Sequence, residues 1–79
     1  MKINIQDIIT LDDQNEYVVV SKVLFKKDVY ICIMDINNHL NIKYILVKDD
    51  YLSIIDDNEV ELLNILIPLF YKNSYEKME

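Results

Sequence analysis

Carboxylates are the side chains in this sequence that are most able to do chemistry. Fourteen Asp and Glu residues occur in 79 positions, and three adjacent Asp pairs stand at 12–13, 49–50 and 56–57. Paired carboxylates can serve general acid–base catalysis or bind a hard cation. Adjacent strand residues point to opposite faces, however, and no pair has the calcium-loop spacing with its central glycine and terminal glutamate. We therefore expect these pairs to form turns and helix caps.

The other reactive side chains do not predict an enzyme. His39 is the single histidine, and the nearest hydroxyls, those of Ser21 and Ser53, belong to other predicted strands. Cys32 lies inside the apolar run 29–34, where a buried and inert thiol is expected. One Cys and one His cannot make a cysteine-based zinc site, and a chain without glycine has no glycine-rich phosphate loop. We predict no catalytic residue, no cofactor and no metal site.

The negative charge is concentrated in the middle of the chain. The formal net charge is −6, without any arginine, and residues 28–61 carry eight acids against two lysines. Direct binding of nucleic acid is not expected, because phosphate contacts depend on Lys and Arg. A partner with a basic surface would be attracted to this segment; alternatively, the Asp residues only supply turns in a glycine-free chain. The residues predicted for partner contact are Asp49, Asp50, Tyr51, Asp56, Asp57, Glu59 and Glu61.

The strands that must position these residues follow from the apolar pattern. Five short strands, separated by Asp- and Asn-rich turns, are predicted at 3–9, 16–25, 29–36, 39–47 and 51–55. Tight turns between consecutive strands imply antiparallel neighbours, and therefore a five-stranded meander that curls like a barrel or is covered by a second chain. Period-two alternation predicts one shared face for Tyr17, Val19, Val23 and Phe25. The Asn37–Asn38 pair is expected to form a hairpin turn with positive φ.

One helix is predicted over residues 57–71, where the apolar period changes. Residues 56–58 offer N-cap oxygens, and acids at 59 and 61 suit the first turn. Two apolar sets lie on opposite sides of this helix, one with Val60, Leu63, Ile67 and Phe70, the other with Leu62, Ile65 and Leu69. Burial on more than one side is therefore expected, by sheet curvature or by a second copy, and Pro68 predicts a kink or break near Ile67.

A single α+β domain is predicted over residues 1–79, with the meander at 3–55, the helix, and a frayed polar tail at 73–79. The first ten residues contain no unbroken apolar segment, and the apolar stretch 62–71 is too short to span a bilayer. We therefore expect a cytoplasmic protein without a membrane partner.

The order of these elements resembles a group of small bacterial proteins. The segment Asp7-Ile8-Ile9-Thr10-Leu11, a polar turn and then Glu16-Tyr17-Val18-Val19-Val20 is similar to the DUF1292-like proteins of low-GC Gram-positive bacteria and their mobile elements. The resemblance covers residues 5–71 and implies a strand, an acidic turn, a long strand, a second hairpin that carries Tyr30, and a final helix. This chain differs from the DUF1292-like proteins because it lacks the glycines usual in their turns and because its helix is more apolar than theirs. The group has no assigned activity to carry over.

Small size, acidity and the lack of catalytic residues also make the chain similar in kind to anti-CRISPR and other phage-borne inhibitors. We predict a non-enzymatic interaction protein that binds, and thereby inhibits, a protein partner such as a nucleic-acid-binding effector, to which it presents phosphate-like carboxylates. The alternative is a self-associating structural or regulatory domain, in which the apolar strands or the helix form a homodimer interface.

Overall fold

The computed structural model describes residues 2–73 and has the α+β architecture that the sequence predicts. Five strands form one antiparallel sheet in chain order, which confirms the meander. The sheet is curled into a half-barrel, and one helix follows it. The elements are β1 (Ile8–Thr10), β2 (Glu16–Phe25), β3 (Asp28–Asp35), β4 (Asn38–Val47), β5 (Leu52–Ile54) and α1 (Val60–Lys72).

The sheet carries one hydrophobic cluster on each face, because β3 is apolar on both. Alternate residues of β3 point to opposite sides: Ile31 and Ile33 belong to one cluster, and Tyr30 and Cys32 to the other. The first, which we call the strand core, comprises Ile3, Tyr17, Val19, Ile31, Ile33 and Ile45. The second, the helix core, comprises Val23, Tyr30, Cys32, Ile55, Leu66 and Phe70.

A β-bulge in β2 divides this strand between the two cores. The register with β3 shifts between Val19 and Ser21, so that Val20 is an extra residue. Tyr17 and Val19 pack in the strand core, whereas Val23 and Phe25 pack in or against the helix core. The expected common face for these four residues is therefore wrong. One inserted residue reverses the alternation of every side chain that follows it.

The hairpin turns also differ from the expectation. Among the described residues, positive φ is found at Gln6, Gln14, Lys26 and Lys27, and not at the Asn37–Asn38 pair. The β2–β3 turn uses Lys26 and Lys27, with φ of 50° and 72°. The β3–β4 turn consists of Ile36 and Asn37, one position earlier than expected, because Asn38 already pairs with Asp35. Asp35 Oδ1 accepts the Asn37 N–H at 2.8 Å and holds this turn from its own side chain.

The helix begins at Val60, three residues later than expected, with Glu59 at the N-cap. The residues at 56–58 do not cap it, since no side-chain cap hydrogen bond is made within residues 2–73. Instead, Glu59 Oε2 accepts the Asp56 N–H at 3.2 Å, and the Glu59 N–H donates to the Asp56 carbonyl at 3.0 Å. These two bonds close a turn that has to be completed before the helix starts.

The predicted break near Ile67 is not found, because α1 runs through Pro68 to Lys72. The carbonyl that loses its donor to Pro68 belongs to Asn64, and both residues lie on the exposed side of the helix, where solvent can reach this carbonyl. Asn73 caps the helix, with its side-chain amide donating to the Leu69 carbonyl at 3.1 Å. The rest of the predicted tail, residues 74–79, lies outside the described residues.

One side of the helix packs on the sheet and the other is exposed. Leu66 and Phe70 are buried, and Leu62, Leu63 and Leu69 pack against the helix core. Ile65 and Ile67 remain 45% and 44% exposed, so the two expected sets are not the two sides of this helix. Among residues 2–73 of a single chain, α1 is buried on one side only, and burial of the other side by a second copy stays a prediction. No helix in the described part of the chain is long and apolar enough to cross a membrane.

Candidate functional site

The predicted partner-binding acids lie around β5, in what we call the acidic segment, residues 49–61. Asp49 and Asp50 form the turn before β5, and Asp56 and Asp57 follow it. Glu59 and Glu61 stand at the start of α1. All six are exposed. Five intervening residues at about 3.3 Å each predict a separation of about 17 Å between the two Asp pairs.

Tyr51 connects the first Asp pair to β5. Its ring is 54% exposed, and its carbonyl accepts the Lys48 N–H at 2.9 Å, which closes the β4–β5 turn. Lys48 Nζ also forms an ion pair with Asp28 Oδ1 at 3.1 Å. This hydrogen bond raises the pKa of Lys48 above its ordinary value, so the lysine stays charged.

The fold brings lysines to an acidic segment that has none of its own. Asp49 lines a cleft of about 280 Å³ together with Lys27 and Lys48. Lys43 lines a second cleft, of about 440 Å³, with Asp56 and Asp57. The negative potential at both ends of β5 is therefore partly offset by cations from β4 and from the β2–β3 turn.

A further cleft, which we call the seam, separates the β1–β2 turn from β5. Its volume is about 480 Å³. It is lined by Thr10, Leu11, Asp12, Asp13, Lys43, Leu52 and Ile54. Sequence reasoning assigned Asp12 and Asp13 to a turn and did not place them near β5. Only the curl of the sheet, which brings the segment after β1 opposite β5, puts them on the wall of one cleft.

A polar network that the sequence did not predict lies behind the seam. The Tyr17 hydroxyl donates to Asp13 Oδ2 at 2.6 Å, and Asn41 Nδ2 donates to the Tyr17 hydroxyl and to Asp35 Oδ2, each at 3.2 Å. Tyr17 is fully buried and Asp35 almost so. The network joins the β1–β2 turn to the β3–β4 hairpin, and it therefore gives the seam a fixed wall.

The hydrogen bond between Tyr17 and Asp13 shifts the pKa values of its two partners in opposite directions. It lowers the pKa of Asp13, because the donor stabilises the carboxylate, and the Asn15 N–H at 2.9 Å adds to this effect. It raises the pKa of Tyr17, since a phenol bonded to a carboxylate resists deprotonation, and desolvation adds to the shift. Asp13 is therefore an anion and Tyr17 a neutral donor at pH 7.

The described part of the chain has no cluster of potential metal ligands, and its cysteine and histidine lie in different surroundings. Within residues 2–73, no group of three or more His, Cys, Asp or Glu side chains could hold a metal ion. Cys32 is buried, as expected, and burial raises the pKa of its thiol to about 11. His39 is exposed at the start of β4. What the arrangement can do chemically is to present carboxylates, backbone groups and apolar surface to another molecule.

Part of the helix side of the sheet is an uncovered apolar row. Ile8, Val18, Met34 and Ile42 are opposite one another across four strands and so share one face. Met34 is two residues from Cys32, which places the row beside the helix core. Ile8 is 52% exposed and Ile42 is 45% exposed. The helix therefore covers only part of this face.

Comparison of the chain with models of protein families, with curated proteins and with solved structures finds no match.

Proposed function

We propose that this chain is a non-enzymatic interaction module that binds a protein partner with a basic surface through the acidic segment. The observation that carries the proposal is the placement of two exposed carboxylate pairs at opposite ends of β5, with two further acids at the start of the helix. Such an arrangement can meet two separate groups of Lys or Arg side chains, and it accelerates association by electrostatic steering.

The finer proposal concerns the class of partner. Exposed carboxylates about 17 Å apart resemble a charged path along a groove, and a groove lined with Lys and Arg is typical of nucleic-acid-binding proteins. By occupying such a groove in the cytoplasm, the module would inhibit its partner, in the manner of phage-borne anti-CRISPR inhibitors. The DUF1292-like resemblance agrees with an origin in bacteria or their mobile elements and adds no activity.

The test compares two charge-neutralising double variants in binding to the partner captured from a host lysate. Asp49→Asn with Asp50→Asn, and Glu59→Gln with Glu61→Gln, remove two charges each, and the amide introduced by Glu59→Gln keeps an oxygen to accept the Asp56 N–H. Each double variant should weaken binding about tenfold, mainly through the association rate, and wild-type affinity should fall as salt rises. Glu16→Gln, at the start of β2 and outside the acidic segment, is the control and should have no effect. The proposal would be refuted if the affinity for the partner changed neither with salt concentration nor in the two double variants.

The apolar row favours a second candidate function, self-association. Ile8, Val18, Met34 and Ile42 form an apolar strip, and an isologous contact between two such strips would cover the exposed side chains of Ile8 and Ile42. Sedimentation or native mass spectrometry should then show a dimer that Ile42→Lys dissociates. Leu24→Lys, at an exposed site outside the row, should leave the dimer intact. A monomer at all concentrations would exclude this candidate.

A further inference from the structure

The open edge of β5 carries backbone groups that are free to pair. β5 is the last strand of the sheet and pairs with β4 alone. The Ile55 N–H donates to the Tyr44 carbonyl at 2.8 Å, and the Lys48 N–H donates to the Tyr51 carbonyl at 2.9 Å. Positions 51, 53 and 55 therefore face β4, whereas the N–H and C=O groups of Leu52 and Ile54 point away from it. Within residues 2–73, no hydrogen bond to these four groups is found.

β5 lacks most of the features that keep an edge strand from pairing with another strand. Natural edge strands are blunted by short length, lysine, proline, bulges or inward charges. β5 is short, at three residues, but it reads Leu-Ser-Ile in regular register with β4. Ile54 is 53% exposed. The side chains of Leu52 and Ile54 border the seam, whose far wall includes Leu11. A strand added to β5 would lie along the seam and place alternate side chains among these three apolar residues.

The charges around the edge define what kind of strand would fit. Asp49 and Asp50 stand at one end of β5 and Asp56 and Asp57 at the other. The segment opposite Leu52 and Ile54 must be apolar at alternate positions, because those positions face the seam. The same segment must be basic at both ends, where it meets the two Asp pairs.

We propose that the partner enters the module as an extended basic segment that adds a sixth strand to the open edge of β5. Two apolar residues of this segment lie opposite Leu52 and Ile54, and Lys or Arg residues at its two ends contact the flanking Asp pairs. Strand addition takes its affinity from backbone hydrogen bonds and its selectivity from alternate side chains. This inference rests on the proposed function and states how the basic partner is held.

The probe is the capped heptapeptide Lys-Lys-Val-Thr-Val-Lys-Lys, titrated into the isotopically labelled protein and followed by NMR and hydrogen exchange. Paired antiparallel with β5, like every pair of neighbouring strands in this sheet, its valines lie opposite Leu52 and Ile54 with their N–H groups towards the edge. In the free protein the amides of Leu52 and Ile54 should exchange fast, whereas the amide of Ser53 is already protected by β4. At saturation the amides of Leu52 and Ile54 should become protected at least tenfold and that of Ser53 should change little. Absence of binding up to about 1 mM peptide would overturn the proposal.

Two matched modifications separate strand addition from simple charge attraction. In this antiparallel pairing, N-methylation of both valines removes the donors that face β5 and should abolish binding, whereas N-methylation of the threonine, whose amide faces away, should not. In the protein, Ile54→Pro removes one outward donor without removing a bond to β4 and should weaken binding at least tenfold. Ile54→Ala keeps the donor and should weaken binding less than Ile54→Pro. If Ile54→Pro unfolds the chain, the methylated peptides still distinguish strand addition from charge attraction.

The failure of this inference is distinguishable from that of the proposed function. One outcome is that the affinity of the captured partner or the peptide falls with salt and with Asp49→Asn plus Asp50→Asn, yet is unaffected by valine methylation and by Ile54→Pro. In that case the acidic segment binds without strand addition, and the inference is wrong. If strand addition is seen with the peptide while the captured partner ignores the carboxylates and salt, the electrostatic function is wrong. If amide protection appears at the apolar row instead of at Leu52 and Ile54, the edge of β5 is not the site.

Discussion

The hydroxyl of Ser21 donates a hydrogen bond of 2.7 Å to the backbone carbonyl of Phe70, forty-nine positions later in the chain. Ser21 directly follows the bulge in β2, and Phe70 lies in the last turn of α1. The last four carbonyls of a helix have no donor in the next turn of the helix. The Phe70 carbonyl also accepts the Asn73 N–H at 3.2 Å, so the hydroxyl that the bulge turns towards α1 is the second donor to this carbonyl and anchors the helix on the sheet.

Removal of this hydroxyl should be costly. Ser21→Ala leaves the Phe70 carbonyl with the Asn73 N–H as a donor, and we expect a loss of about 0.5–1.5 kcal/mol in the free energy of unfolding, measured by urea titration. Ser53→Ala is the matched control, because Ser53 is only half-buried, and its effect should stay within about 0.5 kcal/mol. Equal stability of both variants would show that the bond does not anchor the helix.

The buried face of the helix can be tested with adjacent residues. Leu66 is fully buried and Ile65 is 45% exposed. Leu66→Ala should lower the free energy of unfolding by about 2–5 kcal/mol, since it removes core contacts and leaves a cavity. Ile65→Ala should cost less than about 1 kcal/mol in dilute solution. A larger effect for Ile65→Ala that depends on protein concentration would instead show that a second copy covers the exposed side.

The β2–β3 turn should be open to stabilisation. The left-handed region costs a residue other than glycine about 1–2 kcal/mol, and Lys27 occupies it with a φ of 72°. Lys27→Gly should therefore raise the free energy of unfolding by about 1 kcal/mol. Asn37→Gly is the control at the other hairpin, where φ is not positive, and it should not stabilise the protein. Stabilisation by Asn37→Gly alone would contradict the turn geometry.

The bond between Tyr17 and Asp13 should make stability depend on pH at both extremes. The pKa of Asp13 is lowered from an ordinary value of 3.8, so its contribution is present above about pH 4 and is lost as the pH falls below that. The pKa of Tyr17 is raised from 10.0, so its contribution is present below pH 10 and is lost above it. Tyr17→Phe should reduce this dependence on the acid limb, since the Asn15 N–H still bonds to Asp13, whereas Tyr51→Phe, at an exposed residue, should leave the profile unchanged. Parallel acid limbs for wild type and Tyr17→Phe would contradict the assignment.

The thiol of Cys32 should be almost unreactive in the folded protein. A pKa of about 11 in place of 9.0 lowers the thiolate fraction at pH 8 about 100-fold, and burial hinders access as well. Reaction with a disulfide reagent should therefore follow the unfolding rate, and in denaturing urea it should be fast. Rapid labelling under native conditions would mean that the helix core opens without unfolding.

Much of the fold could be predicted because it depends on local pattern. Turn residues between short alternating strands restrict consecutive strands to antiparallel neighbours, which is why the five-stranded order was correct. The change from period two to a continuous apolar block likewise predicted one helix after β5. The two Asp pairs flank β5 because Asp residues favour turns, and turns begin and end a strand.

The remaining features depend on contacts between distant parts of the chain. The bulge at Val20 lets β2 contribute side chains to two cores on opposite faces of the sheet. Valine is common in regular strands, so the residue type at this position does not predict a bulge. The buried side of the helix is decided by the surface on which it packs, because apolar residues on more than one side of this helix leave several faces that could be buried. Sequence by itself determined the elements, their order and where the charge lies. Only the tertiary structure decided that curvature brings Leu11 opposite Leu52 and Ile54, since the closure of a seam is a property of the whole sheet.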